Sequence, residues 1–510
     1  MIFAWNHWMM YPIIFLTLIT YLAYRYMTRN FDYWKKRGVV SVPPTPFLGN
    51  FGGFLTGQKS GGKLLQEIYN YAPDEPYVGF FGFDKPLLVI RDTNLIKHIL
   101  IKDFDHFQDR YTSSGDYDLL GRASLFMIKN PAWKYVRTKM SSIYTSGRLK
   151  KMVQLLVEVA QDLVTHLESL DLKGPGRTVE MKELCARFTT DMIATTAFGL
   201  RANSLNDPNA EFRERGKELF MDTWYRSIEQ IANVFAPFLV TPLRFYSFPK
   251  KFSAFLRVAV WDAINQREKS GNKRHDLIDL LIELKNQEDN SAYKDIFEFK
   301  GDNIVAQAAV FFLGGFETSS TTLSFSLYEL AVHPEMQIRL RKEITDAVEV
   351  DGGEITYETI MQLPYLDMVV LEALRKYPSL PFLDRVATSN YSVPGTDLVI
   401  EKGTPVYIPL LGLHYDPKYH ENPDKFDPER FSEARRDSSK RAWYPFGDGP
   451  HVCIGLRLGL LQVKVGLIEM LRNYEFSPCD KTAIPMVLAK KGLNVAAEGG
   501  VYLNIKELIK

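Results

Sequence analysis

The sequence predicts a mostly α-helical protein with small β-sheets, in the α+β class. Residues 77–83 and 86–90 are rich in aromatic and branched side chains around a short turn, a pattern typical of paired strands. Most of residues 150–345 has helical periodicity without strand runs, and weak strand signals return at 384–410 and 484–505. Helices should therefore form the bulk of the fold, with sheets as a minor component.

Length and composition favour one large folding unit. The 510 residues are 46% apolar and 13% aromatic, which is enough for a large core. Beyond the first fifty residues no Pro/Ser/Gly tract, charge block or repeat separates folding units, so we predict a single domain over residues 51–510. A net charge of +1 argues against nucleic-acid binding. The three cysteines are widely spaced and odd in number, which favours a reducing compartment over a disulfide framework.

The N-terminus predicts a membrane anchor. Residues 2–24 are aromatic-rich and almost uncharged, and they reach about the twenty residues that a bilayer core requires. Positive charges follow this run and do not precede it, which places the N-terminus across the membrane and the rest of the chain in the cytosol. No small-residue cleavage site precedes those charges, so the segment should be retained. We predict an anchor over residues 1–28 and a basic, Pro-rich hinge over residues 29–50.

A long central helix is predicted over residues 303–333, roughly thirty residues or about 45 Å at 1.5 Å per residue. Its apolar run is too short to cross a membrane, so the helix should be buried. Gly314 and Gly315 lie inside it, although each costs about 1 kcal/mol relative to alanine. We expect a kink or bulge that opens space there, with Glu317 and Thr318 beside it to pass protons. The alternative is a polar patch that faces another helix.

Glu372 and Arg375 lie three residues apart and therefore share one helical face. Such pairs are common on protein surfaces. Here the neighbouring residues make the helix apolar nearly all round, which indicates a buried pair that further hydrogen bonds must complete.

Residues 446–455 form a Gly-rich, Pro-containing loop that reaches a single cysteine, Cys453, and runs into an apolar helix beginning near Leu456. The free N–H groups and the dipole at the start of that helix favour a thiolate, the form that a metal ligand or a nucleophile needs. For an isolated cysteine, an inert buried thiol is the simpler alternative.

The pattern Phe-x-x-Gly-x-x-x-Cys-x-Gly before a long helix resembles the haem-binding loop of the cytochrome P450 family, in which the cysteine is the axial ligand of haem iron. The resemblance covers essentially the whole chain. Its other matched elements are, in order, Trp133-x-x-x-Arg137, Gly314-Gly315-Phe316-Glu317-Thr318, Glu372-x-x-Arg375 and Arg430. The resemblance implies a cytochrome P450 fold with an N-terminal transmembrane helix, and haem b as cofactor.

The resemblance also implies roles for particular residues. Cys453 would bind the haem iron, within a loop that includes Phe446 and His451. The propionate partners would be Trp133, Arg137 and Arg385. Thr318 would hold bound oxygen and Glu317 would connect it to solvent, while Glu372, Arg375 and Arg430 would form a structural triad. His451 stands where the family usually has arginine, and a neutral imidazole holds a carboxylate less firmly than a guanidinium does.

The implied activity is that of a haem-thiolate monooxygenase, which inserts one oxygen atom from O2 into an apolar small molecule. Details of the loop and central helix look like the insect microsomal family-6 subgroup, which is associated with xenobiotic and plant-toxin oxidation at the endoplasmic reticulum membrane. An endogenous lipid or hormone is the other class of substrate. Similar proteins use the region of residues 203–250 as a substrate-channel roof that dips into membrane lipid, whereas plain core packing is the simpler interpretation.

Electrons must come from another protein, because the sequence has no nucleotide, flavin or iron–sulfur motif. The expected donor is NADPH-cytochrome reductase, through which NADPH acts indirectly, and cytochrome b5 is a candidate second partner. A basic docking face is predicted from Lys134, Lys139, Arg435, Arg436, Lys440, Arg441, Arg457 and Lys464. Two alternative functions stay open. The first is a haem-binding sensor or carrier without turnover, which would have no need of Glu317 and Thr318. The second is a membrane scaffold that has lost haem.

Overall fold

Helices dominate the computed structural model, which describes residues 7–220, 223–287, 295–435 and 442–508. In chain order the helices are α1 (His7–Thr28), α2 (Gly52–Leu55), α3 (Gly61–Tyr71), α4 (Thr93–Lys97), α5 (Leu119–Ala123), α6 (Ala132–Met140), α7 (Ser146–Glu168), α8 (Met181–Ile193), α9 (Glu211–Phe220), α10 (Trp224–Phe235), α11 (Val240–Leu243), α12 (Lys250–Ser270), α13 (Leu277–Asn286), α14 (Asp302–Val332), α15 (Pro334–Val350), α16 (Tyr357–Met361), α17 (Pro364–Lys376), α18 (Leu410–His414) and α19 (Leu456–Asn473). The strands are β1 (Tyr77–Gly82), β2 (Lys85–Ile90), β3 (Arg177–Glu180), β4 (Phe382–Val386), β5 (Tyr391–Ser392), β6 (Val399–Ile400), β7 (Pro405–Pro409), β8 (Tyr474–Ser477) and β9 (Tyr502–Glu507).

The predicted central helix is α14, which packs against α8, α5, α19 and α17. It runs for 31 residues and ends just before Pro334, which confirms the predicted length and burial. Of the two expected distortions, a kink or a bulge, the bulge is wrong, because α-helix continues without interruption through residues 314–318. A Cβ atom at Gly315 would come within 2.5 Å of Ile193 Cδ1, whereas one at Gly314 would meet nothing within 4 Å. The first glycine of the pair therefore leaves space beside the helix, and the second lets α8 approach closely.

The predicted strands near the N-terminus form a four-stranded sheet of order β1-β2-β7-β4. β1 and β2 pair antiparallel, β2 and β7 parallel, and β4 and β7 antiparallel. A second sheet has the order β3-β9-β8. β3 lies in the region where no strand was predicted, because Arg-Thr-Val-Glu is short, largely exposed and has no apolar alternation. Its backbone is extended because β9 pairs with it in the tertiary structure.

Residues 29–50 pack against the β1–β2 pair. Trp34 is buried under β1, where its Nε1 donates to the Phe80 carbonyl oxygen at 3.2 Å. Arg29 reaches Asp84 in the β1–β2 turn with an Nη2–Oδ2 distance of 2.7 Å. Across the described ranges, no helix combines the length and the apolar character needed to cross a membrane. Residues 2–6 of the predicted span lie outside the described residues.

The predicted buried pair on α17 is confirmed. Arg375 Nε and Nη2 donate to the two Glu372 carboxylate oxygens at 2.7 and 2.9 Å, and both side chains have no solvent exposure. Arg430 Nε joins the same carboxylate at 3.3 Å. The remaining donors of Arg375 bond to the carbonyl oxygens of His414 and Pro423, each at 2.8 Å. Both guanidinium groups therefore share one carboxylate, and backbone carbonyls accept their remaining hydrogen bonds, which makes burial of these charges possible.

Candidate functional site

A cavity of about 580 Å³ lies between α14 and the loop that carries Cys453. Every residue predicted for the site lines it, namely Trp133, Arg137, Glu317, Thr318, Arg385, Phe446, His451 and Cys453. Much of the remaining wall is apolar, including Val310, Phe311, Leu313, Phe382, Leu383 and Leu493. The cavity therefore combines an apolar interior with a small number of charged and polar groups, the usual composition of a small-molecule site.

The cysteine loop is shaped by glycine and by backbone hydrogen bonds. Gly449 has φ +66°, and a Cβ atom there would lie 2.0 Å from the Leu100 carbonyl oxygen. The Cys453 N–H donates to the Phe446 carbonyl oxygen at 2.8 Å, which closes the loop just before α19. These two constraints fix the position of Cys453 on the cavity wall, where its side chain is exposed.

The protein surroundings alone do not favour the thiolate of Cys453, contrary to expectation. Burial raises the pKa of this thiol, while the Gly455 N–H and the charges of Arg137 and Arg110 lower it, and burial prevails. The helix end therefore contributes in the predicted direction but is outweighed by desolvation. A bound metal cation would reverse the balance, since a coordinating thiol is deprotonated.

Three guanidinium groups approach the cavity near the cysteine loop. Arg137 Nη2 donates to the Val452 carbonyl oxygen at 2.7 Å, and Arg385 Nη1 donates to that of Asp384 at 2.7 Å. Arg110 was not predicted, and its Nη1 lies 3.8 Å from Asp384 Oδ1. The Nε atoms of Arg110 and Arg385 are buried and have no hydrogen-bond partner among the described residues. Three positively charged guanidinium groups on one cavity wall fit a ligand with carboxylate groups.

His451 is buried and packs on Trp133, with ring centroids 3.8 Å apart. Its Nε2 lies 2.7 Å from the Gln108 carbonyl oxygen. Because a carbonyl only accepts, Nε2 carries the proton, and in a neutral ring Nδ1 is then an acceptor. Burial and the charges of Arg385 and Arg110 hold the pKa of His451 well below its usual range. His451 is therefore a neutral imidazole here and brings no positive charge to the cavity.

Glu317 and Thr318 face the cavity from α14, and Glu317 is paired. Its Oε1 lies 2.9 Å from Lys182 Nζ, which also donates to Ser320 Oγ at 2.7 Å. The Lys182 side chain is 26% exposed and that of Glu317 is 16% exposed. Thr318 Oγ1 donates to the Gly314 carbonyl oxygen at 2.6 Å. Glu317, which belongs to a partly exposed ion pair, and Thr318, the next residue, thus both lie on the cavity wall.

The predicted basic face is smaller than expected. Lys464 does not belong to it, because its ammonium is buried and lies 2.5 Å from Asp367 Oδ1. Lys134 and Arg457 are exposed, Lys139 is partly exposed, and Arg435 is exposed and pairs with Asp427. Arg436, Lys440 and Arg441 lie outside the described residues.

Sequence reasoning missed Arg110 and Lys182. Arg110 lies in an irregular segment between short turns, and Lys182 lies in the first turn of α8. Neither position carries a local pattern, since each acquires its partner from a segment distant in the chain. Only the tertiary packing brings Arg110 to β4 and Lys182 to α14.

Comparison with known proteins places this chain among related sequences over nearly its full length. The family model for Cytochrome P450 matches residues 41–503. Cytochrome P450 6k1 of Blattella germanica is 47% identical over 507 residues, which cover 96% of each chain. Probable cytochrome P450 6g2 of Drosophila melanogaster is 43% identical over 498 residues, 95% of this chain and 96% of that protein. Cytochrome P450 6j1 of Blattella germanica is 42% identical over 494 residues, 96% of each chain.

Proposed function

The chain belongs to the cytochrome P450 family and is a P450 monooxygenase, and from this premise we propose that Cys453 is the thiolate ligand of its haem iron. When bound, haem supplies the activation of O2 and the transfer of one oxygen atom. The observation that carries the proposal is the convergence of Cys453, the guanidinium wall and the Glu317–Thr318 pair on one cavity. The cavity's apolar lining supports an apolar small molecule as substrate, whether a xenobiotic, a plant toxin, or an endogenous lipid or hormone.

The test of this activity is oxidation of an apolar candidate substrate by the full-length protein with NADPH and a separate reductase. We expect NADPH consumption that depends on both substrate and reductase, and label from isotopic O2 in the product. NADPH consumption that no substrate stimulates, together with a product free of label, would contradict the assignment of substrate and electron source.

Arg110, Arg137 and Arg385 are the proposed partners of the haem propionates, with Trp133 beside them. All three residues line the cavity, and a guanidinium can bind a carboxylate through two parallel hydrogen bonds. His451 and Phe446 would act by packing, since His451 is neutral and its N–H is already used by the Gln108 carbonyl. Arg110 then supplies the positive charge that the family usually places at position 451.

Replacing Arg110 should therefore weaken haem retention. We expect Arg110→Met to release haem about 10-fold faster than the wild type, since a hydrogen bond to a charged group contributes about 1.5–3 kcal/mol. The measurement is transfer of haem to an excess of an apoglobin scavenger. The double variant Arg110→Met/His451→Arg should recover slow release, because it returns a cation to the same wall. Wild-type release from Arg110→Met, or no recovery in the double variant, would contradict this role.

Glu317, Thr318 and Lys182 form the proposed route for protons into the cavity. Oxygen activation consumes protons, and the interior supplies few groups that can carry them. The Lys182–Glu317 pair is partly exposed, and the adjacent Thr318 hydroxyl lies on the cavity wall. In this route Glu317 exchanges protons with solvent, Lys182 positions its carboxylate, and Thr318 holds a proton at Oγ1.

Removing the carboxylate should slow turnover more than it weakens substrate binding. We expect Glu317→Gln to lower kcat on the order of 10²-fold and to leave KM little changed. This factor is the lower end of the rate acceleration that general acid–base catalysis provides. Lys182→Met should lower kcat less and raise the share of NADPH consumed without product, and Lys182→Arg should restore coupling. The measurement is the ratio of product to NADPH, and wild-type ratios in both Glu317→Gln and Lys182→Met would exclude the route.

The remaining parts of the proposal concern location and partners. Residues 1–28 would anchor the catalytic domain of residues 51–510 at the endoplasmic reticulum membrane, with residues 29–50 between them. Support comes from the apolar side chains that α1 exposes, and from the positive charges that follow the segment. NADPH-cytochrome reductase, and cytochrome b5 as a second donor, would dock on the basic face. Its candidate residues in the described part of the chain are Lys134, Lys139, Arg435 and Arg457.

A further inference from the structure

Residues 108–112, the Arg110 segment, pass along the cavity wall as irregular backbone. Arg110 and Thr112 line the cavity, and the Gln108 carbonyl oxygen accepts from the ring of His451. Two parts of the proposed haem site therefore depend on the path of this one segment. Because irregular backbone has no ladder of hydrogen bonds, its carbonyl oxygens must find partners elsewhere in the chain.

Lys129 supplies those partners. Its Nζ donates to the carbonyl oxygen of Arg110 and, at 2.8 Å, to that of Thr112. Lys129 lies just before α6, and its own carbonyl oxygen accepts from the Trp133 N–H at 2.9 Å. One lysine thus joins the Arg110 segment to the start of the helix that carries Trp133 and Arg137.

Another hydrogen bond reaches the Arg110 segment but leaves the Arg110 carbonyl unbound. The Thr112 N–H donates to Asp384 Oδ2 at 2.7 Å, which ties that end of the segment to β4. Within the described ranges, no second donor reaches the carbonyl oxygen of Arg110. Removing the Lys129 ammonium would therefore leave this carbonyl without a protein partner, and the backbone that directs the Arg110 guanidinium would no longer be fixed.

The Arg110 guanidinium needs such a constraint because like charges surround it. Burial and the charge of Arg110 lower the pKa of Arg385 to about 9, which reflects the repulsion between the two groups. Burial and the same charge also lower the pKa of the Lys129 ammonium. Hydrogen bonds, and not charge attraction, therefore hold Lys129 against the Arg110 segment.

We propose that Lys129 is a positioning residue, which fixes the Arg110 backbone so that the guanidinium stays on the wall that receives the haem propionates. The inference rests on the proposed role of Arg110. Lys129 does not itself line the cavity, so its effect on haem is transmitted through Arg110. This residue extends the haem site to a side chain that neither its sequence pattern nor its position on the wall would indicate.

The test is a double-variant cycle on haem release from the full-length protein to an excess of an apoglobin scavenger. We expect Lys129→Met to release haem about 5-fold faster than the wild type, below the effect of Arg110→Met because Lys129 acts through that residue. For the same reason, Arg110→Met/Lys129→Met should release haem within about 2-fold of Arg110→Met alone. Wild-type release from Lys129→Met would overturn the proposal. Independent effects would multiply to about 50-fold in the double variant and would also overturn it.

Two further variants separate the hydrogen bonds from other effects of the substitution. Lys129→Arg keeps donors for both carbonyl oxygens and should release haem within about 2-fold of the wild-type rate. Release as fast as that of Lys129→Met would contradict the role of these hydrogen bonds. Lys97→Met makes the same replacement at an exposed position of α4 and is the matched control, with wild-type release.

Resonance Raman spectra of the haem-loaded variants provide a second readout. Lys129→Met and Arg110→Met should shift the propionate bands in the same direction, because both variants remove the guanidinium from the propionates. Unchanged bands in Lys129→Met would overturn the proposal. If Lys129→Met does not bind haem, the same cycle and spectra apply to Lys129→Gln, which keeps a neutral donor on a shorter side chain.

The Arg110→Met variant separates this inference from the proposed function. If Arg110→Met releases haem at the wild-type rate, the proposed role of Arg110 fails and the role of Lys129 fails with it. If Arg110→Met releases haem quickly and Lys129→Met does not, only the role of Lys129 fails.

Discussion

The Cys453→His variant is expected to lose the strongly red-shifted Soret band of the dithionite-reduced, carbon-monoxide-bound protein, and its monooxygenase activity with it. A thiolate ligand donates electron density to haem iron that an imidazole does not, and both the spectrum and the chemistry depend on that density. The measurement is the difference spectrum of purified wild type and variant at matched haem content. The variant should still bind haem, because histidine is also an axial ligand and the guanidinium wall is unchanged.

Cys479→Ser is the matched control for that experiment. Cys479 is half-buried, and the cavity beside Cys453 does not include it. Its replacement should leave the spectrum and the activity at wild-type values. A thiolate signature that persists in Cys453→His, or that disappears in Cys479→Ser, would mean that Cys453 is not the ligand.

The Glu372→Gln variant is expected to lose about 3–5 kcal/mol of the free energy of unfolding. The substitution keeps the shape of the side chain but removes the charge that compensates Arg375 and Arg430, both fully or nearly fully buried. Two uncompensated guanidinium groups would then lie in the core beside α17. The measurement is urea or thermal unfolding of the haem-loaded protein, with the haem content of each variant determined first.

A second substitution tests whether charge, rather than lost packing, causes that effect. Glu372→Gln/Arg430→Met removes one of the two uncompensated cations and should recover part of the stability. Glu358→Gln, at an exposed ion pair with Lys150, should leave the unfolding midpoint unchanged because solvent screens that pair. Wild-type stability in Glu372→Gln, or further loss in the double variant, would show that the buried charges do not determine the stability of this region.

The residues of the site differed in how far they could be predicted. Cys453 and Glu317 could be predicted because each is chemically unusual for its surroundings. Cys453 is a lone thiol at the end of a glycine-rich loop, and Glu317 is a carboxylate within an apolar helix. The Glu372–Arg375 pair was predictable from its apolar helix. In contrast, the predicted bulge in α14 is wrong. Gly315 is explained instead by close packing, because a side chain there would collide with Ile193 of α8, and the sequence around Gly315 does not show which helix packs there. Strand β3 was missed because it depends on β9.

The sequence by itself determined the helical class, the central helix, and Cys453, Glu317 and Thr318 as candidate site residues, because local spacing and residue chemistry specify these features. The family resemblance added Trp133, Arg137, Arg385, Phe446 and His451, which also line the cavity. Only the tertiary structure decided which charges meet there. It pairs Lys182 with Glu317 and brings Arg110 to the cavity wall. It also keeps His451 neutral, because burial and the charges of Arg385 and Arg110 lower the pKa of its imidazole. The physical reason is that the charge state and hydrogen bonding of a buried group depend on neighbours from distant segments, whose positions are fixed only when the helices pack.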